Sequence, residues 1–172
     1  MLFRSTYDPE VPADLVYAGR HLVTDRIPDA PVDAGKLVLS PTRTYAPLIK
    51  LLLQHFFSDL HGIIHCSGGG QTKCLKYLPR PYRLIKDRLF DAPIVFQLIR
   101  QASGADLKEM YQVFNMGHRL EVFTSDKAAD EMIACAASLG IEARRIGWVE
   151  PGGQKELLLR SERGELRYLA DK

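Results

Sequence analysis

The sequence predicts an α/β fold of the α+β kind, in which a mixed β-sheet carries helices packed on one side. Between residues 36 and 140, short apolar segments alternate with longer segments whose apolar residues recur every three or four positions, as expected for strands alternating with helices. From residue 143 onward, short apolar segments follow one another across turns that contain glycine, which is typical of antiparallel strands. We therefore expect one sheet that combines both kinds of strand connection.

The first 35 residues differ in character from the rest of the chain. They hold four of the ten prolines and several scattered acidic residues, and only two short apolar pieces interrupt them. A segment of this length without regular structure is uncommon inside a compact domain. We therefore expect residues 1–35 to be an extended arm or linker, and residues 36–172 to be the domain.

The composition excludes several classes of protein. Lys and Arg number 23 and Asp and Glu 21, so no strong field attracts nucleic acid or an anionic membrane. The chain shows no signal-peptide core and no apolar run approaching the ~20 residues that cross a membrane. Three cysteines without a CxxC pair are typical of a reducing compartment, so we expect a cytoplasmic location.

The first predicted elements of the domain lead to a turn rich in glycine. Residues 36–39 are predicted to form a strand, and Thr44 is the expected N-cap of a helix that has Pro47 in its first turn. The apolar stripe of that helix is Tyr45, Leu48, Ile49, Leu52 and Phe56. A second strand is predicted at 61–65, and a helix over 71–78 follows the glycines.

The remaining elements continue this alternation and then end in strands. Up to residue 140 we expect a strand, two helices, a strand and a helix, in this order: 82–86, Pro93 to Gly104, 106–112, 120–124 and Ser125 to Gly140. Two or three final strands are predicted, at 143–149, at 156–159 and, as the third, at 166–168.

The segment IIHCSGGGQTK at residues 63–73 carries the clearest functional signal. A buried strand ends on the glycines at 68–70, and a helix follows. Glycine allows the backbone to approach a ligand closely, and the N–H groups that open a helix favour phosphate. Contiguous glycines match neither the P-loop pattern nor the dinucleotide fingerprint. A tight strand-to-helix turn without a ligand explains the same glycines, so both interpretations stay open.

Three polar side chains are expected near this turn, and a fourth candidate lies in a separate bend. His65 lies at the carboxyl end of its strand, where open α/β sheets place ligands, and its imidazole can bond a phosphate or a leaving oxygen. Thr42 and Arg43 precede a helix and can face the same edge of the sheet. Asn115 lies in an Asn-Met-Gly bend. Each has a plain structural alternative, namely a core histidine, surface caps and a turn.

Metal and covalent chemistry are not expected in this chain. No cluster of Cys, His or acidic residues has the spacing of metal ligands, so no metal site is predicted. Cys66 directly follows His65, and the two side chains should point to opposite faces of a strand. Lys73 would lie in the first turn of a helix, where a cation is slightly unfavourable unless an anion is close, and this favours a ligand.

Four motifs occur in order between residues 36 and 150. They are Ser-Pro-Thr-Arg-Thr-Tyr at 40–45, His-Cys-Ser-Gly-Gly-Gly at 65–70, Glu-Met-Tyr leading into Phe-Asn-Met-Gly at 109–117, and Ile-Gly-Trp-Val at 146–149. This set resembles the C-terminal half of the AIR synthase family, the phosphoribosylformylglycinamidine cyclo-ligases. The resemblance implies a fold like that of the AIR synthase C-terminal domain for residues 36–172.

The resemblance also implies an ATP-dependent ring closure in purine biosynthesis. Such enzymes transfer a phosphoryl group from ATP to the formyl amide oxygen of formylglycinamidine ribonucleotide. A nitrogen then attacks, phosphate leaves, and aminoimidazole ribonucleotide forms. In this interpretation His65 and Asn115 are catalytic. The residues expected to bind the substrate or its phosphate are Thr42, Arg43, Ser67, Gly68, Gly69, Gly70 and Thr72.

The family's ligands for ATP and magnesium lie mostly in an N-terminal half with acidic and glycine-rich motifs that this sequence lacks. The resemblance therefore implies a fragment or a detached C-terminal domain that is inactive as a cyclo-ligase on its own. Its implied partners are the missing N-terminal domain and, in a homodimer, a second copy. The alternative is a stand-alone noncatalytic domain of the same superfamily that binds a phosphate ligand or another protein.

Two departures from the family pattern affect the expected substrate contacts. Gln71-Thr72-Lys73 follows the glycines, where the family commonly has a hydrophobic residue and then Glu-Asn-Ile-Pro. His118-Arg119 follows the Asn-x-Gly bend, where small apolar residues are usual. These departures indicate a subgroup of the family rather than a different activity.

Overall fold

The computed structural model describes residue 10 and residues 20–40, 43–79, 81–161 and 164–170. The helices are α1 (Ala34–Val38), α2 (Ala46–Phe56), α3 (Ile94–Ser103), α4 (Leu107–Val113) and α5 (Asp126–Ser138). The strands are β1 (Leu60–His65), β2 (Tyr82–Lys86), β3 (Leu120–Thr124), β4 (Gly147–Pro151), β5 (Glu156–Ser161) and β6 (Gly164–Leu169). Two 3-10 helices, Phe57–Asp59 and Gly70–Lys76, lie on either side of β1.

The strands form two sheets. β1 and β3 pair antiparallel, with His65 opposite Leu120 at the end of the ladder. The other four strands follow the order β4-β2-β5-β6, in which β2 and β5 are parallel and the two outer pairs are antiparallel. The mixed α/β class is therefore confirmed, whereas the division of the strands into two sheets was not predicted.

Two apolar clusters hold these layers together. The first lies between the four-stranded sheet and the 3-10 helix at 70–76, and its buried members are Ile64, Cys66, Cys74, Leu75, Leu78, Leu84, Leu157, Leu159 and Tyr168. The second joins α2 to α5, and its buried members are Leu48, Leu52, Ala128, Met132 and Ala136. Burying one such large apolar side chain contributes about 1.5–3 kcal/mol. The predicted stripe of α2 supplies Leu48 and Leu52 to the second cluster, with Tyr45 and Phe56 packed against it.

The strand predicted at residues 36–39 is wrong, because α1 occupies this segment. The Asp33 carboxylate accepts a hydrogen bond from the Lys36 amide at 2.8 Å and caps the helix. The backbone hydrogen bonds of Lys36 and Asp33 also lower the pKa of this carboxyl group. Residues 36–39 hold three apolar positions, too few for their spacing to distinguish a strand from one helical turn, and the cap at Asp33 favours the helix.

The predicted start of α2 is also corrected. Tyr45 rather than Thr44 occupies the N-cap position, and no side chain caps the helix, while Pro47 lies in the first turn as predicted. Ser125 does occupy the N-cap of α5, but its hydroxyl donates to Asp59 Oδ1 at 2.7 Å instead of accepting from the helix. The caps were predicted from residue type alone. The prediction fails at Ser125 because its hydroxyl bonds to Asp59, a residue that is distant in sequence.

Two further boundaries shift for physical reasons. The helix predicted at 71–78 is a 3-10 helix at 70–76, which begins directly on a glycine. The strand predicted from residue 143 begins at Gly147. Arg145 instead pairs with Asp130 of α5 at 3.0 Å and also with Asp126, which holds this segment against the helix.

The segment before the predicted domain boundary also has described contacts. Ile27 is buried, and the Gly35 amide donates to the Val23 carbonyl at 2.7 Å. α1 spans the boundary predicted after residue 35, and the division into arm and domain stays a prediction. None of the helices in the described ranges has the length and apolar character that crossing a membrane requires.

Candidate functional site

A cleft of about 750 Å³ opens beside the carboxyl end of β1. Four of the predicted site residues line it together: Arg43, His65, Ser67 and Asn115. Small-molecule sites have volumes of roughly 300–1,000 Å³, so the cleft has the size of a ligand site. The predicted glycines and Thr72 are not among its lining residues, and Thr42 lies outside the described residues.

The three glycines of the turn have different surroundings. Gly69 and Gly70 adopt left-handed backbone with φ values of +92° and +47°. A Cβ on Gly70 would lie 2.5 Å from the Phe114 carbonyl oxygen and 2.6 Å from that of Tyr111, so packing requires this glycine. A Cβ on Gly68 would meet nothing within 4 Å. The tight-turn alternative thus accounts for Gly70, while Gly68 and Gly69 stay candidates for contact with a ligand.

Several polar groups of the glycine turn form hydrogen bonds with one another. The Thr72 hydroxyl donates to the Gly69 carbonyl at 2.9 Å, so this side chain stabilises the turn. Lys73 Nζ donates to the His65 carbonyl at 2.9 Å and to Ser67 Oγ at 3.1 Å. Its ammonium group therefore lies at the end of β1, beside a serine of the cleft. A cation fixed at this point favours an anionic ligand.

Three arginines and two carboxylates line the cleft: Arg43, Arg119, Arg144, Asp91 and Glu142. Arg43 is exposed, and its Nη1 donates to the Gly140 carbonyl at 3.3 Å. The guanidinium of Arg144 lies 3.9 Å from the centre of the Phe90 ring. Arg119 and Arg144 were not predicted as site residues. The only signal for Arg119 was the unusual pair of residues after the Asn-x-Gly bend.

Asn115 shapes the bend that forms one wall of the cleft. Its Oδ1 accepts from the Gly117 amide at 2.9 Å, and its carbonyl accepts from the His118 amide at 3.0 Å. Met116 and Gly117 both have positive φ, and a Cβ on Gly117 would lie 3.0 Å from Pro93 Cδ. The carboxamide oxygen of Asn115 is thus used to stabilise the turn, and a role of Asn115 in catalysis stays a prediction.

A buried polar network that the sequence did not predict lies behind the cleft. Lys86 is 1% exposed; its Nζ pairs with Glu121 and donates to Gln71 at the carbonyl oxygen (3.1 Å) and Oε1 (3.0 Å). Burial acts to lower the pKa of Lys86, but the acidic groups around it, Glu121 foremost, together raise it above its ordinary value. Burial also raises the pKa of the Cys66 thiol, and that of Cys74 to about 11. The network therefore holds one ion pair beside two neutral thiols.

His118 lies beside this network in its neutral form. Its Nε2 accepts from the Phe90 amide at 2.8 Å, so the ring proton lies on Nδ1. Nδ1 has no hydrogen-bond partner within the described ranges. Burial, together with the charges of Lys86 and Arg144, lowers the pKa of His118 to about 4.

The low pKa of His118 predicts that the protein loses stability in mild acid. An unfolded chain binds the proton near pH 6.5 and the folded chain only near pH 4, so the contribution of His118 is complete above pH 6.5 and is lost as the pH falls towards 4. We expect a loss of about 3 kcal/mol in the free energy of unfolding across this range. Urea unfolding at several pH values measures it.

A variant that cannot titrate at this position provides the control. His118→Gln should show a shallower fall between pH 6.5 and 4, because it removes the group whose lowered pKa makes the unfolded chain take up a proton before the folded chain does. Equal pH dependence in the two proteins would contradict a buried neutral imidazole at this site.

Comparison with known proteins gives a consistent result. A model of the family "AIR synthase related protein, C-terminal domain" matches residues 16–160, which include part of the predicted arm. The phosphoribosylformylglycinamidine cyclo-ligase of Methanopyrus kandleri is 32% identical over 130 residues, 76% of this chain and 36% of that protein. The enzyme of the same name from Methanothermobacter thermautotrophicus is 35% identical over 131 residues, 76% of this chain and 37% of that protein. The chain thus spans little more than a third of the length of these relatives.

Solved structures show a similar fold at low sequence identity. A crystal structure of HypE from E. coli, a hydrogenase maturation protein, aligns with a TM-score of 0.57 and 17% identity, covering 81% of this chain and 45% of that one. This likeness concerns the fold alone. Across the described parts of the chain, no group of three or more His, Cys, Asp and Glu side chains is arranged to hold a metal ion.

Proposed function

The chain belongs to the family of AIR synthase related C-terminal domains, and from this premise we propose that it forms the substrate-binding half of an ATP-dependent phosphoribosylformylglycinamidine cyclo-ligase. The proposed reaction closes the ring of formylglycinamidine ribonucleotide to give aminoimidazole ribonucleotide. Because the chain covers only 36–37% of its relatives, the activity is assigned to the assembly with an N-terminal domain and not to this chain alone.

The observation that carries the proposal is the meeting of Arg43, His65, Ser67 and Asn115 in one cleft. These residues come from three separate motifs, and the fold gathers them at the end of β1. Lys73 lies beside Ser67 and the arginines outnumber the carboxylates, so the cleft favours an anion such as the phosphate of a ribonucleotide.

Each side chain has a role that suits its chemistry. The Arg43 guanidinium and the Ser67 hydroxyl bind phosphate oxygens, and the amides of Gly68 and Gly69 extend this cradle. The exposed imidazole of His65 bonds the oxygen that leaves. Asn115 orients the substrate amide. ATP with magnesium supplies the phosphoryl group that makes the formyl oxygen a leaving group, and their ligands lie mostly in the N-terminal domain.

The proposal includes partners and a compartment. The N-terminal domain is one partner, and a second copy in a homodimer is the other, whereas nucleic acid and membranes are not expected partners. The three cysteines are free thiols, which suits the reducing cytoplasm. The relatives described above carry the name of the enzyme, so no observation favours the noncatalytic alternative.

Replacing Arg43 tests the phosphate site directly. Arg43→Ala should weaken binding of ribose 5-phosphate by about 1.5–3 kcal/mol, because it removes a charge-assisted hydrogen bond. Thermal stability should change little, since Arg43 is exposed and makes one long hydrogen bond to Gly140. Isothermal titration calorimetry and thermal melts of the 172-residue chain measure both quantities.

Two further variants sharpen the result. Arg43→Lys keeps the positive charge but loses the planar guanidinium that can donate two parallel hydrogen bonds to a phosphate. Its affinity for ribose 5-phosphate should therefore lie between those of Arg43→Ala and the unmodified protein. Arg160→Ala removes an arginine that pairs with Glu165 on the far hairpin, and it should leave affinity unchanged. Unaltered binding in Arg43→Ala, or equal losses in Arg43→Ala and Arg160→Ala, would refute the proposed phosphate contact.

A further inference from the structure

The two departures from the family pattern, distant in sequence, meet in one buried contact. Gln71 follows the glycines and is completely buried, and its Nε2 donates to the Asn115 carbonyl at 2.7 Å. The same carbonyl accepts from the His118 amide at 3.0 Å. Gln71, the first departure, thus binds the Asn115 bend, and this bend leads directly into His118-Arg119, the second departure. This contact joins the two walls of the cleft from behind.

Lys86 and Glu121 fix the orientation of Gln71. Lys86 Nζ donates to Gln71 Oε1 at 3.0 Å and to the Gln71 carbonyl at 3.1 Å, so the side-chain oxygen faces Lys86 and the amide nitrogen faces Asn115. Glu121 of β3 pairs with Lys86 from the other side. Hydrogen bonds therefore run from Glu121 through Lys86 and Gln71 to Asn115, and they connect both sheets to the cleft.

The network of Glu121, Lys86 and Gln71 is better explained as a device that fixes the position of the Asn115 bend than as a source of folding stability. Removing two charges from water offsets most of the energy that their attraction supplies, and well-packed apolar residues of similar volume are often as stable. An apolar residue at position 71 would fill the space but leave the Asn115 carbonyl without its side-chain donor. Gly70 packs against the Phe114 carbonyl, so a small shift of the bend would also displace the turn.

We propose that Gln71, held by Lys86 and Glu121, is a positioning residue that sets the spacing between the glycine turn and the Asn115 bend across the cleft. The proposal rests on the proposed function, because it assumes that these two walls bind the ligand. Ser67 lines one wall, and Asn115 and Arg119 line the other. A ligand that contacts both walls would require the spacing to be fixed before it binds.

Amide hydrogen exchange tests the spacing without any ligand. Gln71→Met keeps a side chain of similar length but has no hydrogen-bond donor. In this variant, exchange of the Gly117 and His118 amides should accelerate about tenfold, because both amides donate to Asn115, which is no longer held in place by Gln71. Exchange in β5 at Leu157 and Leu158 should stay the same. A matched control is Gln97→Met, which removes an exposed bond from Gln97 to Ala92 and should leave the bend unchanged. Unchanged exchange at Gly117 and His118 in Gln71→Met would overturn the proposal.

A second variant separates position from stability. Lys86→Met/Glu121→Leu removes both charges together and should melt near the temperature of the unmodified chain. Its affinity for inorganic phosphate, measured by calorimetry, should nevertheless fall about tenfold, because Gln71 loses its fixed orientation. Unchanged affinity in a folded double variant would overturn the positioning role. If the unmodified chain binds no phosphate, the proposed function fails, and the exchange rates alone decide whether Gln71 fixes the bend.

Discussion

Gly70→Ala is expected to destabilise the protein by about 3–5 kcal/mol, because two penalties combine at this residue. Left-handed backbone, here at φ +47°, is unfavourable for alanine. The added Cβ would also approach the carbonyl oxygens of Phe114 and Tyr111 to 2.5 and 2.6 Å. Both atoms belong to the backbone, so no side chain can rotate away. Urea denaturation at neutral pH measures the loss.

Two other glycines separate the penalties. Gly104 has φ +71° with nothing near its Cβ position, so Gly104→Ala should lose only the backbone term of about 1–2 kcal/mol. Gly68 has open space and no left-handed backbone, so Gly68→Ala should stay within about 0.5 kcal/mol of the unmodified protein. If Gly70→Ala and Gly104→Ala lost the same amount, the close packing of the turn against α4 would be disproved.

Glu121→Ala should cost about 3–5 kcal/mol, because it leaves the Lys86 ammonium buried without its carboxylate. Lys86 is 1% exposed, so water cannot replace the missing charge without opening the core. Thermal and urea unfolding measure the change. The exposed pair of Arg160 and Glu165, 2.8 Å apart, gives the control: Glu165→Ala should cost at most about 1 kcal/mol. Similar losses in both variants would mean that Lys86 is not a buried cation.

The elements that the sequence predicted well have strong local signals. The strands at 82–86 and 120–124 have the predicted bounds, because each is a short segment with three apolar residues of five that follows a proline or glycine break. α3 ends as predicted at Gly104, which adopts the left-handed conformation of a helix C-cap. α1 was missed because a single cap at Asp33 decides its conformation, and residue type alone does not show which cap forms.

The candidate site was predictable only in part. Arg43 could be placed near His65 because strand ends and helix starts meet at one edge of a sheet, whereas only the resemblance to the family placed Asn115 in the same site. Lys86 and Glu121 could not, since a charged residue in a strand is normally expected to face water, and their pairing depends on how the two sheets meet. Gly70 was interpreted as a ligand contact because the sequence does not show that α4 packs against it.

The order of strands in the larger sheet has a consequence for synthesis on the ribosome. Both neighbours of β2 come from the end of the chain, and Arg83 precedes its partner Glu156 by 73 residues. At about 5–20 residues per second, roughly 4–15 s separate the emergence of the two. Leu84 and Ile85 are buried in the finished fold but lack neighbouring strands during this interval. A nascent chain that stalls before residue 147 therefore presents β2 as an open edge to other chains.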